Sequence, residues 1–140
     1  MAISPQVDGV LEISLYVAEV ARSKRFYESL FQLECLLEDE RLCALAVSGK
    51  QVLLLFRRQG SVNSVVIPGG TIPGHDGSGE LHIAFSIPAS QLEAWRTKLE
   101  EQHVAIESTV HWARGGKSLY FRDPDNHLVE LATPGVWSIY

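Results

Sequence analysis

The sequence has few cysteines, no long apolar run and no surplus of basic residues, and each shortage excludes a class of protein. The two cysteines are too few for a disulfide scaffold and match no zinc or redox motif, so we expect two buried free thiols. The longest purely apolar runs, such as residues 52–56, are about five residues long, against about 20 for a membrane helix. A net charge of −5 leaves no basic stripe for nucleic acid.

The amino terminus also lacks the features of a secretory signal. The opening Met-Ala-Ile-Ser-Pro-Gln has no basic start, apolar stretch or small-residue cleavage site, so a cytoplasmic protein is expected. What the 140 residues do contain is 46% apolar and 21% charged side chains, the balance of a packed globular protein. The length fits one domain.

One strand, one helix and three shorter strands are predicted in the first half of the chain. The helix prediction, residues 20–31, depends on Val20, Tyr27, Leu30 and Phe31 recurring at helical spacing. The strand predictions depend on short apolar runs between turn signals. They cover residues 11–17, 35–39, 42–47 and 51–57.

The same order of elements recurs after a segment rich in Gly, Ser and Pro. This segment, about residues 59–79, is interpreted as a linker. Beyond it come a strand at 80–87, a helix that Ser90 and Glu93 would open as a capping box, and a closing hairpin of strands 117–122 and 127–132. We therefore predict an α+β fold of two βαβββ modules, about 10–58 and 80–134, within a single domain.

Strand alternation gathers candidate metal ligands on one face of each module. Successive strand side chains point to opposite faces, so Glu12, His82 and Glu130 lie opposite the residues that pack on the helices. One imidazole and two carboxylates suit a divalent ion and leave positions open for water or substrate. The alternative is that each is an ordinary solvated charge or a satisfied histidine.

The residues also resemble a known family. Leu15-Tyr16-Val17, followed by Arg25-Phe26-Tyr27-Glu28, is similar to the opening strand and helix of the glyoxalase, bleomycin-resistance and dioxygenase group, the vicinal oxygen chelate superfamily. The run from Ser118 to Leu131 resembles its closing hairpin. The resemblance implies a cup-shaped mixed sheet, a homodimer with two sites, and a divalent metal (Mn, Fe, Zn, Ni or Co) that chelates vicinal oxygens. Glu12, His82 and Glu130 fall on its ligand places.

At several metal-ligand positions the chain departs from the pattern of the family, which makes some of its enzyme types less expected. Leu54 stands where glyoxalase I enzymes carry a fourth ligand, Glu, and Glu12 stands where His or Gln is commoner. Extradiol dioxygenases use two His and one Glu, whereas this chain offers one His and two Glu. Ser118 and Tyr120 are similar to residues of the fosfomycin-modifying transferases.

Several neighbouring residues are candidates for substrate binding or catalysis. Trp112, Arg114 and Lys117 combine an aromatic ring and two cations beside the predicted site strand, although a solvated loop explains them equally well. Tyr120 is a candidate acid or hydrogen-bond donor, against a packing role. Tyr16 and Ser118 complete the predicted substrate set, while His127 is expected at the surface.

Two functions remain open at this point. The first is a metal-dependent enzyme acting on a small substrate with vicinal oxygens, as a lyase, isomerase, transferase or dioxygenase. The second is a metal-free protein of the bleomycin-resistance type that binds a small molecule between aromatic rings such as Tyr16, Trp112 and Tyr120.

Overall fold

The computed structural model describes residues 2–140 and contains two helices and ten strands within that range. The helices are α1 (Val20–Phe31) and α2 (Leu92–Glu101). The strands are β1 (Glu12–Val17), β2 (Glu34–Glu38), β3 (Leu42–Val47), β4 (Gln51–Arg57), β5 (Val65–Ile67), β6 (Gly70–Ile72), β7 (His82–Ser86), β8 (Ser108–His111), β9 (Lys117–Arg122) and β10 (Leu128–Ala132). No helix among them is long and apolar enough to cross a bilayer.

The two halves of the chain build sheets of the same design. The first sheet has the strand order β1-β4-β3-β2, and the second has the order β7-β10-β9-β8. In each, the first strand runs parallel to its single neighbour and the remaining pairs are antiparallel. The predicted α+β fold with two mixed sheets is confirmed. Strands β1 and β7 each keep one edge without a strand partner in the described chain.

Helix α1 packs against strands of both halves. Its Tyr27 and Leu30 are fully buried, and the ring of Phe31 stacks on Phe85 of β7 with 4.4 Å between centroids. The helix ends at Phe31, and its C-cap Gln32 donates its N–H to the Glu28 carbonyl; the left-handed backbone of Gln32 (φ 55°) then turns the chain out of the helix. Side chains from one face of each sheet therefore share a core with the helices.

One local prediction was incomplete and another was wrong. The predicted linker contains the hairpin β5–β6, which pairs Val65 with Ile72. Its strands are only three residues long and lie between glycines, so no periodicity marked them. The capping box of Ser90 is not formed either, because a 3-10 turn over Ala89–Gln91 precedes α2 and the N-cap is Gln91, without a side-chain bond.

The turn between β9 and β10 joins the two halves through buried polar groups. Asp125, with a side chain 1% exposed, accepts hydrogen bonds from the Ala18 N–H (2.8 Å) and the Ser23 hydroxyl (3.0 Å) at the start of α1. The guanidinium groups of Arg22 and Arg58 lie 3.3 and 3.6 Å from Oδ1 of Asp125, the oxygen that also accepts from the Ala18 N–H. This one carboxylate therefore gathers four polar groups of the first half, three at the start of α1 and one just after β4.

His127 is buried, not exposed as the sequence suggested. Its Nδ1 accepts a hydrogen bond from the Leu81 N–H (2.9 Å), so its Nε2 carries the proton and donates to the Tyr16 carbonyl (2.8 Å). The prediction failed because both partners are backbone groups distant in sequence. His127 thus bridges β1 to the segment before β7.

We predict that Asp125→Ala destabilises the fold by about 2–4 kcal/mol, because it leaves buried donors and two arginines without their acceptor. Asp125→Asn keeps one acceptor oxygen and is expected to cost less. The measurement is urea unfolding followed by circular dichroism. The control is Asp8→Ala at an exposed position, which should stay within about 0.5 kcal/mol of wild type. An equally small change in Asp125→Ala would contradict the role of the turn.

The two cysteines are free thiols, as predicted, but only one is fully buried. Cys43 has no exposed surface, while Cys35 is half-buried and its sulfur lies 3.9 Å from that of Cys43. Burial, followed by the neighbouring Cys35, raises the pKa of the Cys43 thiol to about 12. Cys43 is therefore a protonated, unreactive core residue at neutral pH.

We predict that Ellman's reagent at pH 8 titrates Cys35 and leaves Cys43 untouched. With a pKa of about 12, only on the order of one Cys43 in 10⁴ is a thiolate at that pH. Both thiols should react in denaturant, and Cys35→Ser should abolish the native reaction. Two equally fast thiols in the native protein would refute this assignment.

Candidate metal centre

The imidazole of His82 is held in one tautomer by the strand beside it. His82 opens β7, and its Nδ1 lies 3.0 Å from the carbonyl oxygen of Leu128, which pairs with it in β10. A carbonyl oxygen only accepts, so Nδ1 must carry the proton. The other ring nitrogen, Nε2, then has its lone pair directed away from the backbone, as in histidines that bind metals.

The carboxylate of Glu130 is oriented by a relay of two hydrogen bonds. Glu130 is only 6% exposed, and its Oε2 accepts a bond of 2.6 Å from the Ser118 hydroxyl. The Ser118 oxygen in turn accepts one of 2.8 Å from the Trp112 indole N–H. The second carboxylate oxygen, Oε1, is left facing His82 at 3.2 Å from Nε2.

This contact needs a positive charge. In the neutral imidazole with Nδ1 protonated, a nitrogen lone pair faces a carboxylate oxygen at 3.2 Å, which is repulsive unless a proton or a metal ion compensates it. Nitrogen and oxygen ligands each about 2.0–2.2 Å from one ion lie about 3 Å apart at ordinary coordination angles. The pair therefore fits a divalent ion in both donor type and spacing.

Glu12, the third predicted ligand, does not join this pair within one chain. It is exposed at the start of β1, opposite Val52 of β4, in the first sheet. Across residues 2–140 no group of three His, Cys, Asp or Glu side chains is close enough to hold an ion. A single chain thus brings together two of the three predicted ligands.

Tyr120 lies beside the pair on the neighbouring strand. It is directly opposite Glu130 in the β9–β10 register, and its ring centroid is 6.3 Å from that of His82. Burial, with the Glu130 charge as the second cause, raises the pKa of the Tyr120 hydroxyl above its usual value. The hydroxyl is therefore a protonated donor at neutral pH.

A cavity of about 470 Å³ opens over His82 and Glu130. Trp112, a predicted substrate residue, lines it as expected from its position before β9. Ala84, Ser86 and Ala132 line it as well, on the same strands as His82 and Glu130. Four further lining residues were not predicted as part of a site: Phe85, Val136, Trp137 and Tyr140. The signal that was available is a pair of large aromatic residues just after the last strand.

Comparison with known proteins identifies the family. Residues 9–131 match the model of the Glyoxalase/Bleomycin resistance protein/Dioxygenase superfamily, which is most of the chain. The chain belongs to this superfamily. Its predicted membership, drawn from the opening strand and helix and the closing hairpin, is confirmed.

Curated proteins that are similar to this chain carry the name of an enzyme. The chain is 30% identical to metallothiol transferase FosB of Shouchella clausii over 129 residues, which cover 91% of this chain and 81% of the relative. It is 25% identical to metallothiol transferase FosB of Staphylococcus saprophyticus over 128 residues, covering 91% and 78%. The predicted class, a metal-dependent enzyme of this superfamily, is confirmed at that level.

Solved structures agree with the fold. A lactoylglutathione lyase from Agrobacterium tumefaciens superposes with a TM-score of 0.86 at 28% identity, covering 96% of this chain and 99% of that one. The fosfomycin resistance protein FosX from Listeria monocytogenes superposes with a TM-score of 0.68 at 20% identity, covering 91% of each chain. Both share the paired-module architecture of the superfamily.

The remaining predicted substrate residues lie in different places. Lys117 shares its strand face with the core residues Leu119 and Phe121, opposite the Ser118 face. Arg114 is exposed in the turn before β9. Neither belongs to the cavity wall.

Tyr16 lies in the first sheet, away from the cavity wall. Its hydroxyl is 2.7 Å from Nδ1 of His75, and its ring packs so closely on Gly77 that a Cβ there would overlap it. Burial, and then the charge of Asp76, raises the pKa of Tyr16. The linker is therefore fastened over this face of the first sheet by the Tyr16 side chain.

The first sheet presents an apolar face where some superfamily members have a ligand. Tyr16 and Phe56 are buried there with Leu42 and Ala44, and Leu54 packs against them. An apolar Leu54 supplies no lone pair, as the sequence indicated. The two candidate metal ligands that approach one another, His82 and Glu130, thus both lie in the second sheet.

Proposed function

We propose that this chain is a metal-dependent thiol transferase, in which His82 and Glu130 hold a divalent ion and Glu12 of a second copy completes the set. The contact of His82 Nε2 with Glu130 Oε1 at 3.2 Å carries the proposal. The name of the curated relatives, metallothiol transferase, supports both the metal and the reaction. The name lactoylglutathione lyase, which refers to a glutathione compound, is in keeping with thiol chemistry.

The residues of the second sheet would each have a defined task. A bound divalent ion would supply Lewis-acid activation of substrate oxygens. Ser118 and Trp112 keep Glu130 in place, and the Leu128 carbonyl keeps the His82 ring in place. Tyr120 holds a proton on its hydroxyl next to the pair and is the candidate acid for an oxygen that gains negative charge. We place this activity in the cytoplasm.

A homodimer is proposed because one chain supplies two ligands and leaves its first edge strand open. Glu12 is exposed on β1, which within residues 2–140 pairs with β4 alone. Next to it, Leu11 and Ile13 are 68% and 42% exposed, an apolar stretch suited to burial in a subunit contact. A second copy that packed its β1 edge against the open edge of β7 would bring its own Glu12 towards His82, the first residue of β7.

The metal prediction is tested by titrating dialysed protein with Mn²⁺, the ion present in the FosX crystal, in a calorimeter. We expect one ion per chain. Removing an outer partner of a metal ligand costs 10–100-fold in affinity, so His82→Ala and Glu130→Gln should cost more than about 100-fold. The control is His103→Asn, which removes an imidazole elsewhere and keeps a residue tolerant of the positive φ found there. Absent or His82-independent Mn²⁺ binding would favour a metal-free binding protein.

Mixed dimers test whether Glu12 acts from the second copy. Glu12→Gln and His82→Ala chains, each weak alone, should form mixed dimers that regain one tight site per dimer, because one site then has both residues intact. Mixed dimers of Glu130→Gln with His82→Ala should regain none, since those ligands belong to the same chain. A monomeric native protein, or no recovery in the first mixture, would show that Glu12 is not contributed in this way.

A further inference from the structure

The segment after the last strand, residues 134–140, is fastened onto the second sheet and is here named the closing segment. The Gly135 carbonyl accepts a bond of 3.2 Å from the Gly116 N–H, and the Gly135 N–H donates to the Tyr140 carbonyl at 2.8 Å. The Tyr140 hydroxyl donates to the Ala132 carbonyl at 2.7 Å. The segment therefore curls back on itself and is tied to β10.

Two glycines let the closing segment approach the turn before β9. A Cβ on Gly116 would lie 2.6 Å from the Gly135 carbonyl carbon, closer than real contacts allow. Gly135 itself has φ +104°, a conformation that other residues rarely adopt. Both positions thus require glycine for the segment to pack here, which makes the cavity wall a defined structure.

The wall that results is aromatic. Trp112 from the turn before β9 and Trp137 and Tyr140 from the closing segment line the cavity together with Phe85 of β7. Trp137 is 71% exposed as a residue although its backbone is held by Tyr140. An exposed indole on a fixed backbone, at the mouth of a cavity, is a surface suited to stacking on a planar ligand.

The charge of the wall by itself, without a bound ion, disfavours one class of ligand. Among the described residues that line the cavity there is no Lys or Arg, and Glu130 is the one carboxylate. Arg114 and Lys117, the cations that the sequence suggested for an anion, are not part of the lining. A phosphonate or other anion would meet a carboxylate there, with no protein cation in the wall to compensate its desolvation.

We propose that the cavity selects an uncharged, planar aromatic substrate, which stacks on Trp137 and Trp112 with its reacting oxygens towards His82 and Glu130. The orientation of the oxygens depends on the metal-dependent function proposed above, whereas the aromatic selection depends on the wall alone. Trp137 is accordingly a specificity-determining residue.

The test uses benzyl alcohol as the aromatic probe, cyclohexylmethanol as its non-planar match and methylphosphonate as the anion. Each is titrated into metal-free protein and followed by the indole N–H signals of the three tryptophans in ¹⁵N-edited NMR spectra. We expect benzyl alcohol to shift the signals of Trp112 and Trp137 but not that of Trp95 in the core, and to bind more tightly than the other two probes.

Variants at Trp137 complete the test. Trp137→Ala should weaken benzyl alcohol binding about 3- to 10-fold, the range of one aromatic contact, while Trp137→Phe retains most of it. Neither variant should change the affinity for Mn²⁺ or the mass of the assembly in solution. Tighter binding of methylphosphonate or cyclohexylmethanol than of benzyl alcohol to the native protein would overturn the inference. A smaller assembly formed by Trp137→Ala would also overturn it, because Trp137 would then be part of a subunit contact. Native protein that binds benzyl alcohol but no Mn²⁺ would refute the proposed metal-dependent function and leave this inference standing.

Discussion

The rest of the structure depends on the turn between β9 and β10, where three polar side chains lock the two halves together. The Asp123 carboxylate accepts bonds from the N–H groups of Asp125 and His127, which shapes the turn itself, and from the buried hydroxyl of Tyr27 in α1. Asp125 and His127 then reach the start of α1 and the backbone of β1. Each buried donor and acceptor would be costly without its partner, so this arrangement favours one relative placement of the halves.

The register that the turn imposes also assembles the site. Strand β10 lies between β7 and β9, so Glu130 has neighbours on both sides. Leu128 pairs with His82, which puts the imidazole diagonal to Glu130, and Tyr120 pairs with Glu130 directly. A slip of one residue in β10 would turn Glu130 towards the core and Val129 outwards. The approach of His82 to Glu130 is thus a consequence of strand pairing.

Much of this could be predicted from the sequence because it follows from local periodicity. The bounds of α1 and the face shared by His82 and Glu130 depend on spacings of two or 3.6 residues, and the Pro and Asn of the β9–β10 turn have fixed backbone preferences. His127 was misjudged because its partners, the backbone of Tyr16 and Leu81, are set by tertiary packing. The closing segment has no periodicity, and its position depends on a contact between Gly116 and Gly135.

The negative charge of Glu130 bears on both the proposed metal and the inferred substrate. Glu130 is a buried carboxylate whose partners are one hydroxyl and one imidazole, in a cavity wall with no Lys or Arg. Burying an anion in apolar surroundings is unfavourable unless a positive charge lies close to it, so the site attracts a cation. The same field opposes a second anion unless the bound ion outweighs it. An uncharged aromatic substrate that presents its oxygens to the ion adds no second anion to the cavity. The ion stays beside Glu130 as its positive partner, and the aromatic ring packs on the indoles.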